Sequence, residues 1–159
     1  MMKRRDLLKT FVAGSTVMVF GRGIAFAKQY FPVEVNQKLF EGINRIKDTA
    51  NLTELEKKHV PVMNTLSKVK AGELFDLEVV IGEIVHPMGS AHWIEYLQLS
   101  IGNEPAGTVN FQSQGYLKPK AKFTVVLGDR LKGKTVSLVI QEKCNLHGIW
   151  ENSTNVEVV

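Results

Sequence analysis

Short runs rich in branched aliphatic and aromatic residues dominate the chain after Lys70, and turn-forming residues separate them. Such runs predict β-strands, and no helical stretch lies among them. Six or seven strands within residues 70–159 favour an antiparallel sandwich or small barrel over a parallel sheet. A chain of 159 residues has room for one ordinary core. The predicted strands are residues 75–85, 93–101, 107–111, 122–127, 135–140 and 155–159.

The segment that precedes these strands is predicted to be helical. Apolar residues recur there every three or four positions, at Val35, Leu39, Ile43 and Ile46. This spacing predicts a short amphipathic helix over residues 35–46. Further on, Thr53-x-x-Glu56 is a candidate capping box that would begin another helical turn, and Pro61 would stop it.

Residues 1–27 have the parts of an export signal: a basic start, an apolar stretch and the small-residue site Ala25-Phe26-Ala27. The pair Arg4 and Arg5, followed by apolar residues and a lysine, is typical of a twin-arginine signal, which carries folded cargo. The alternative is a membrane anchor, but the apolar stretch is interrupted and falls short of the ~20 residues that span a bilayer. We therefore expect removal after Ala27 and a periplasmic or otherwise exported protein.

The net charge depends on this signal. The full chain has 20 basic and 16 acidic residues, and the signal contains five of the basic and one of the acidic residues. Removal of the signal would leave 15 basic and 15 acidic residues. A near-neutral mature chain gives no support to a nucleic-acid partner.

Every histidine and the single cysteine are predicted to lie in a loop or at a strand end; they are His59, His86, His92, His147 and Cys144. His86 and His92 bracket a turn between two strands, and Cys144 lies three residues before His147. Each pattern alone is weak, since loop histidines are usually surface residues and free cysteines are usually buried and inert. Because a sandwich gathers its loops at its two ends, their joint occurrence in loops favours a metal site.

These residues belong to three longer motifs. The motifs are Lys58-His59-Val60-Pro61-Val62, His86-Pro87-Met88-x-x-x-His92-Trp93-Ile94-Glu95 and Cys144-Asn145-Leu146-His147-Gly148-x-Trp150. In this order they resemble the superoxide reductases, the family of neelaredoxin and desulfoferrodoxin. The resemblance implies an all-β fold, a seven-stranded immunoglobulin-like sandwich over residues 56–159, which would follow a helical extension over residues 28–55.

The resemblance also implies one mononuclear non-haem iron with an open sixth position. Its equatorial ligands would be His59, His86, His92 and His147, and its axial ligand Cys144. Superoxide would take an electron from Fe(II) and leave as hydrogen peroxide, which makes the chain an oxidoreductase. Lys58 matches the family lysine that attracts the anion and helps to supply a proton; the alternative is an ordinary solvated surface charge. Five protein ligands argue against zinc, whose structural sites usually have four.

Further implications concern partners. Larger family members carry a second iron centre bound by four cysteines, which Cys144 alone cannot provide. Electrons would therefore come from an external donor protein, and the resemblance implies a homo-oligomer, either a dimer or a tetramer.

One departure from the family pattern is Lys57, which stands where many members have a glutamate that can occupy the sixth position of the iron. Glu56 would reach that position only through a shifted backbone.

Two other functions stay open at this stage. An exported immunoglobulin-like carrier of sulfur intermediates would need an accessible thiol, and an iron electron carrier would have no superoxide activity. Trp93 and Trp150 are interpreted as packing beside the ligands. The basic run that contains Lys118, Lys120 and Lys122 is most simply a solvated loop, with a docking patch for an acidic donor as the alternative.

Overall fold

The computed structural model describes residues 35–159. The predicted signal at residues 1–27 and the first residues of the predicted extension lie outside this range. Within the described range, no helix is both long and apolar enough to cross a membrane.

Within residues 35–159, nine strands and one short α-helix, α1 (Glu54–His59), form the fold. The first three strands are β1 (Ile43–Asn44), β2 (Pro61–Asn64) and β3 (Lys68–Val69). The remaining six are longer: β4 (Leu74–Ile81), β5 (Ile94–Ile101), β6 (Glu104–Asn110), β7 (Lys120–Val126), β8 (Thr135–Cys144) and β9 (Gly148–Val158). Two 3-10 turns, Gln37–Phe40 and Asp129–Leu131, complete the described elements.

The strands form two sheets. One has the order β1-β9-β8-β5-β6, with β3 also paired to β9, and the other has the order β2-β4-β7. All pairs are antiparallel except those that β1 and β3 make with β9. The seven strands of four or more residues divide into four in the larger sheet and three in the smaller. The predicted all-β antiparallel sandwich is confirmed, and the number of its longer strands, seven, agrees with the number that the resemblance implied.

Alternating side chains explain how the two sheets meet. Every second residue of β8 from Val136 to Cys144 is buried, and β4 alternates in the same way from Phe75 to Ile81. Because successive side chains in a strand point to opposite faces, these rows face each other across the interior. Leu77, Leu97 and Leu138, one from each of three strands, are completely buried in this core.

The predicted helix over residues 35–46 is wrong. Only the 3-10 turn Gln37–Phe40 forms there, followed by β1, which pairs in parallel with β9. Glycine and asparagine are poor helix formers, and Gly42 and Asn44 lie within the apolar repeat. Ile43, expected on the buried face, is 40% exposed.

The capping box is confirmed. The Thr53 hydroxyl accepts the Glu56 backbone N–H, and the Glu56 carboxylate accepts the Thr53 backbone N–H. The helix ends at His59, and Pro61 begins β2, a strand that the sequence analysis missed. Strands β8 and β9 extend to Cys144 and from Gly148, so they reach further toward each other than predicted.

Candidate metal centre

Four different parts of the fold bring the five predicted ligands together. His59 is the last residue of α1, His86 and His92 lie in the β4–β5 connection, Cys144 ends β8, and His147 lies in the β8–β9 turn. One ligand atom from each residue lies within 4.8 Å of all the others. The convergence that the sequence analysis predicted is therefore present.

The four imidazoles form a closed ring. Neighbouring ring centroids are 4.4–4.8 Å apart around the order His59, His86, His92, His147, and each neighbouring pair is nearly perpendicular. His59 and His92 face each other across the ring, with centroids 6.1 Å apart and planes inclined by only 31°. This is the arrangement of four nitrogen ligands around the equator of one ion.

The Cys144 sulfur lies on one side of this ring. Its Sγ is 3.6 Å from His86 Nε2, 3.2 Å from His92 Nε2 and 3.4 Å from His147 Nδ1. Similar distances to three of the four nitrogens place the thiol at an apex rather than in the ring. Cys144 is completely buried, so the sulfur occupies the inner face.

The tautomers of the two buried histidines follow from their partners. His59 Nδ1 lies 2.8 Å from the Leu55 carbonyl oxygen, and His86 Nδ1 lies 2.6 Å from the Pro87 carbonyl oxygen. A carbonyl can only accept, so each Nδ1–H donates and each Nε2 presents a lone pair. The two Nε2 atoms are 3.1 Å apart, which places two acceptors in contact unless a cation lies between them. Backbone support of this kind is typical of metal-binding histidines.

The pKa shifts agree with neutral imidazoles and a protonated thiol in the metal-free site. Burial lowers the pKa of His59 to about 4 and that of His86 to about 3. Burial also raises the pKa of Cys144 to about 12, although the backbone N–H groups of Leu146 and His147 oppose the shift. A cation at the ring centre would reverse the shift of the thiol, since a coordinating sulfur binds as a thiolate.

The ring has the right size for a transition metal. The pairs His59–His86 and His92–His147 each have nitrogen atoms 3.1 Å apart. A square with that edge has its centre about 2.2 Å from each corner, close to the ~2.0–2.1 Å of a metal–imidazole bond. Four nitrogens and one sulfur, with the face opposite the sulfur free of these five donors, suit iron better than tetrahedral zinc.

The outer face of the ring is reached from solvent. His92 and His147 are only half-buried, and Lys58 is exposed beside His59. After the larger effect of burial, the charge of Lys58 helps to lower the pKa of both His59 and His92. The charge of Lys58 therefore acts on two imidazoles that stand on opposite sides of the ring.

Glu56 does not reach this face. Its carboxylate accepts hydrogen bonds from the Thr53 backbone N–H and hydroxyl at 2.8 and 2.7 Å, and from the Lys47 backbone N–H at 3.0 Å. These bonds turn it toward the beginning of α1, so the shifted-backbone alternative is wrong. Lys57 points to solvent, where its ammonium lies 3.5 Å from Glu54.

One of the two tryptophans that were interpreted as packing groups, Trp150, contacts the ring. Trp150 stacks on His59 with centroids 5.4 Å apart and an interplanar angle of 25°, and its indole N–H donates to the His147 carbonyl oxygen at 2.9 Å. Trp93 is half-buried against the core. Trp150 thus contacts two ligand-bearing residues at once.

Asn145 and Glu142 are residues that the sequence analysis missed. Asn145 accepts the Trp93 backbone N–H and donates to the Ala91 carbonyl oxygen, so it ties the β8–β9 turn to the segment on both sides of His92. Glu142 is completely buried without a hydrogen-bond partner among residues 35–159, and burial raises its pKa well above the usual value. The alternation of β8 could have identified Glu142, since it shares an inward face with Cys144.

The basic run does not form a free cationic patch. The ammonium of Lys122 lies 2.7 Å from Asp76 and that of Lys120 lies 3.8 Å from Glu78, across the β4–β7 pair. These ion pairs favour the solvated interpretation over a docking patch.

The fold and site define a class: a β-sandwich protein that gathers four histidines and one cysteine around a single metal position. Residues 51–153 match the family model described as Desulfoferrodoxin, and the chain belongs to this family. The resemblance to superoxide reductases is thereby confirmed.

Individual relatives agree with this assignment. The superoxide reductase of Pyrococcus abyssi is 34% identical over 122 residues, which cover 70% of this chain and 99% of that protein. The desulfoferrodoxin of Nitratidesulfovibrio vulgaris is 33% identical over 100 residues, covering 60% of this chain and 62% of that protein. Among solved structures, the superoxide reductase (neelaredoxin) of Ignicoccus hospitalis has a TM-score of 0.62 and 30% identity, covering 79% of this chain and all of that one.

Proposed function

We propose that this protein is a superoxide reductase with a mononuclear non-haem iron. The observation that carries the proposal is the ring of four imidazoles, closed on one face by a buried cysteine, with the exposed Lys58 next to ligand His59 in sequence. Superoxide gains one electron and two protons and becomes hydrogen peroxide. Bound iron supplies the one-electron couple that this reduction requires, which zinc cannot supply.

The residues of the chain hold the site in a form that needs little rearrangement. Carbonyl oxygens fix the His59 and His86 rings, Trp150 holds His59 against the His147 backbone, and Asn145 joins the remaining ligand segments. A site fixed in this way changes little between two oxidation states, which favours fast one-electron chemistry.

Lys58 is proposed to act on the substrate. Its ammonium would attract the superoxide anion to the open face and donate a proton to the reduced oxygen, directly or through water. An electron carrier would have no use for a cation at this position, so exposed Lys58 favours the enzyme. The buried Cys144 counts against a sulfur carrier, which needs an accessible thiol.

The first test is metal content and the visible spectrum of the oxidised protein, for the wild type and for Cys144→Ser. One iron per chain and a thiolate-to-iron charge-transfer band that the variant lacks would support the site. Zinc, or no metal in protein purified anaerobically, would refute it.

The second test separates Lys58 from ordinary surface charge. We expect Lys58→Ala to retain iron but to react with superoxide at least ~10-fold more slowly, with a weaker dependence on salt. Lys134→Ala is the matched control, because Lys134 is also exposed but precedes β8 at the end opposite Cys144. An unchanged rate in iron-loaded Lys58→Ala would refute the proposed role.

The proposal extends to location and partners. Residues 1–27 support export through the twin-arginine pathway after iron insertion, and electrons are proposed to come from a separate donor protein to a dimer or tetramer. A variant with Arg4→Lys and Arg5→Lys should accumulate inside the cell as iron-loaded precursor. Normal export of that variant would contradict the twin-arginine assignment.

A further inference from the structure

A segment that precedes the family match pairs with β9 close to the residues that hold the metal centre. Residues 39–47, called here the strap, precede the matched range of residues 51–153. Their central strand β1 pairs in parallel with the start of β9, with Ile43 opposite Ile149 and Asn44 opposite Trp150. The strap therefore contacts β9 within three residues of His147.

Asn44 fastens the strap at this point. Its side-chain Nδ2 donates one hydrogen bond to the Leu39 carbonyl oxygen and another to the Ile149 carbonyl oxygen, both at 2.9 Å. The first bond closes the strap on itself and the second joins it to β9. Both N–H donors of the amide are used, so a side chain without them cannot replace it.

The strap also packs on the residue that follows His147. Gly148 has a φ of +73°, and a Cβ added there would overlap the Leu39 carbonyl group. The strap backbone therefore occupies the space that a side chain at residue 148 would fill. Displacing the strap would remove the backbone contact that supports the β8–β9 turn, which carries His147.

The other end of the strap reaches the helix that carries His59. The Lys47 backbone N–H donates to Glu56 Oε1 at 3.0 Å, three residues before His59. Between the two ends, an ion pair of 2.7 Å joins Arg45 to Glu151 of β9. The strap thus connects α1, which carries His59, with the β8–β9 turn, which carries His147. The ring centroids of these two histidines are 4.6 Å apart.

We propose that the strap is a brace for the metal centre and that Asn44 is its positioning residue. By holding residues 39–47 against β9, Asn44 keeps the α1 and β8–β9 ligands at their binding separation. The brace slows metal release rather than taking part in chemistry. The inference rests on the metal site alone and does not require that superoxide is the substrate.

The test uses Co²⁺ as the probe, since its visible bands report thiolate and imidazole coordination without any redox reaction. Full-length wild type, Asn44→Ala, Asn44→Asp and Glu41→Ala are loaded with Co²⁺ and mixed with excess EDTA, and the decay of the bands is followed. Removing support behind metal ligands typically weakens metal binding ~10–100-fold, so we expect about 10-fold faster release from both Asn44 variants. Asn44→Asp keeps the size of the side chain but cannot donate.

Glu41→Ala is the matched control, because Glu41 is an exposed residue of the same strap and the change leaves Asn44 and the Arg45–Glu151 pair intact. Its release rate should stay within about twofold of the wild type, because exposed substitutions away from bonded or packed groups have small effects. The thermal midpoint of each metal-free variant distinguishes a general loss of stability from a local effect. The proposal is overturned if both Asn44 variants release Co²⁺ at the wild-type rate, or if Glu41→Ala accelerates release equally. Loss of superoxide activity with normal Co²⁺ release would count against the proposed function instead.

Discussion

Gly82 offers a test of how α1, which carries His59, is held next to the β4–β5 connection, which carries His86 and His92. It follows the last residue of β4, has a φ of +80° and donates its N–H to the Val60 carbonyl oxygen at 3.1 Å. A Cβ added there would lie 2.5 Å from the Ile84 oxygen, 2.7 Å from the Lys58 oxygen and 2.8 Å from the Lys57 oxygen. The glycine therefore sits where the β4–β5 connection meets the end of α1.

The cost of Gly82→Ala has two parts. An alanine in the left-handed region costs about 1–2 kcal/mol, and forcing a methyl group into packed backbone costs about 1–3 kcal/mol. The sum is about 2–5 kcal/mol. To move from 2.7–2.8 Å to the 3.4 Å of ordinary contact, the two α1 carbonyls must retreat by about 0.6–0.7 Å. That movement carries His59 away from His86, whose Nε2 lies 3.1 Å away.

Gly102→Ala is the matched control, since Gly102 also has a positive φ, +59°, but an added Cβ meets nothing within 4 Å. The assay is thermal unfolding of the metal-free proteins, together with Co²⁺ affinity. At about 3–5 °C per kcal/mol for a domain of this size, Gly82→Ala should lower the midpoint by about 6–25 °C and weaken Co²⁺ binding. Gly102→Ala should lower the midpoint by less than about 10 °C and leave the affinity unchanged. Equal effects of both variants would refute the steric argument.

Two further predictions concern α1 and the metal-free site. Thr53→Ala removes both hydrogen bonds of the Thr53 hydroxyl, one accepted from the Glu56 backbone N–H and one donated to the Glu56 carboxylate. It should destabilise the protein by about 1 kcal/mol in urea unfolding, whereas Thr53→Ser should retain most of that stability. The metal-free protein should lose stability as the pH falls from 6.5 toward 4, because burial lowers the pKa of His59 to about 4 and of His86 to about 3. The unfolded state, with histidine pKa values near 6.5, takes up protons first over this range, so unfolding is favoured. A thermal midpoint that stays constant over this range would contradict the second prediction, and an unchanged urea midpoint for Thr53→Ala would contradict the first.

The sandwich could be predicted because its strands carry local signals. The alternation in β4 and β8 marks one buried face, and turn residues separate most of the strands. The ligand set could also be predicted, since all four histidines and the only cysteine fall at or near the ends of elements and within motifs of a known family. Both conclusions depend on residues close together in sequence.

The strap could not be predicted for the opposite reason. Its apolar repeat has the period of a helix, but pairing with β9 depends on residues more than 100 positions away, such as Ile149 for Asn44. Long-range pairing overrides a weak local preference. Glu56 shows a similar ambiguity, because the sequence permits both a capping role and a role at the metal, and only the direction of its side chain decides between them.

The scattered origin of the five donors has a consequence for the order of assembly. The contacts His59–His86 and His92–Cys144 join residues 27 and 52 positions apart, so an unfolded chain offers only the local pairs Cys144–His147 and His86–His92. Full affinity exists only after both sheets have docked, and metal binding is then coupled to the folding free energy. Loading is therefore a late step, and a bound metal marks a chain whose folding is complete.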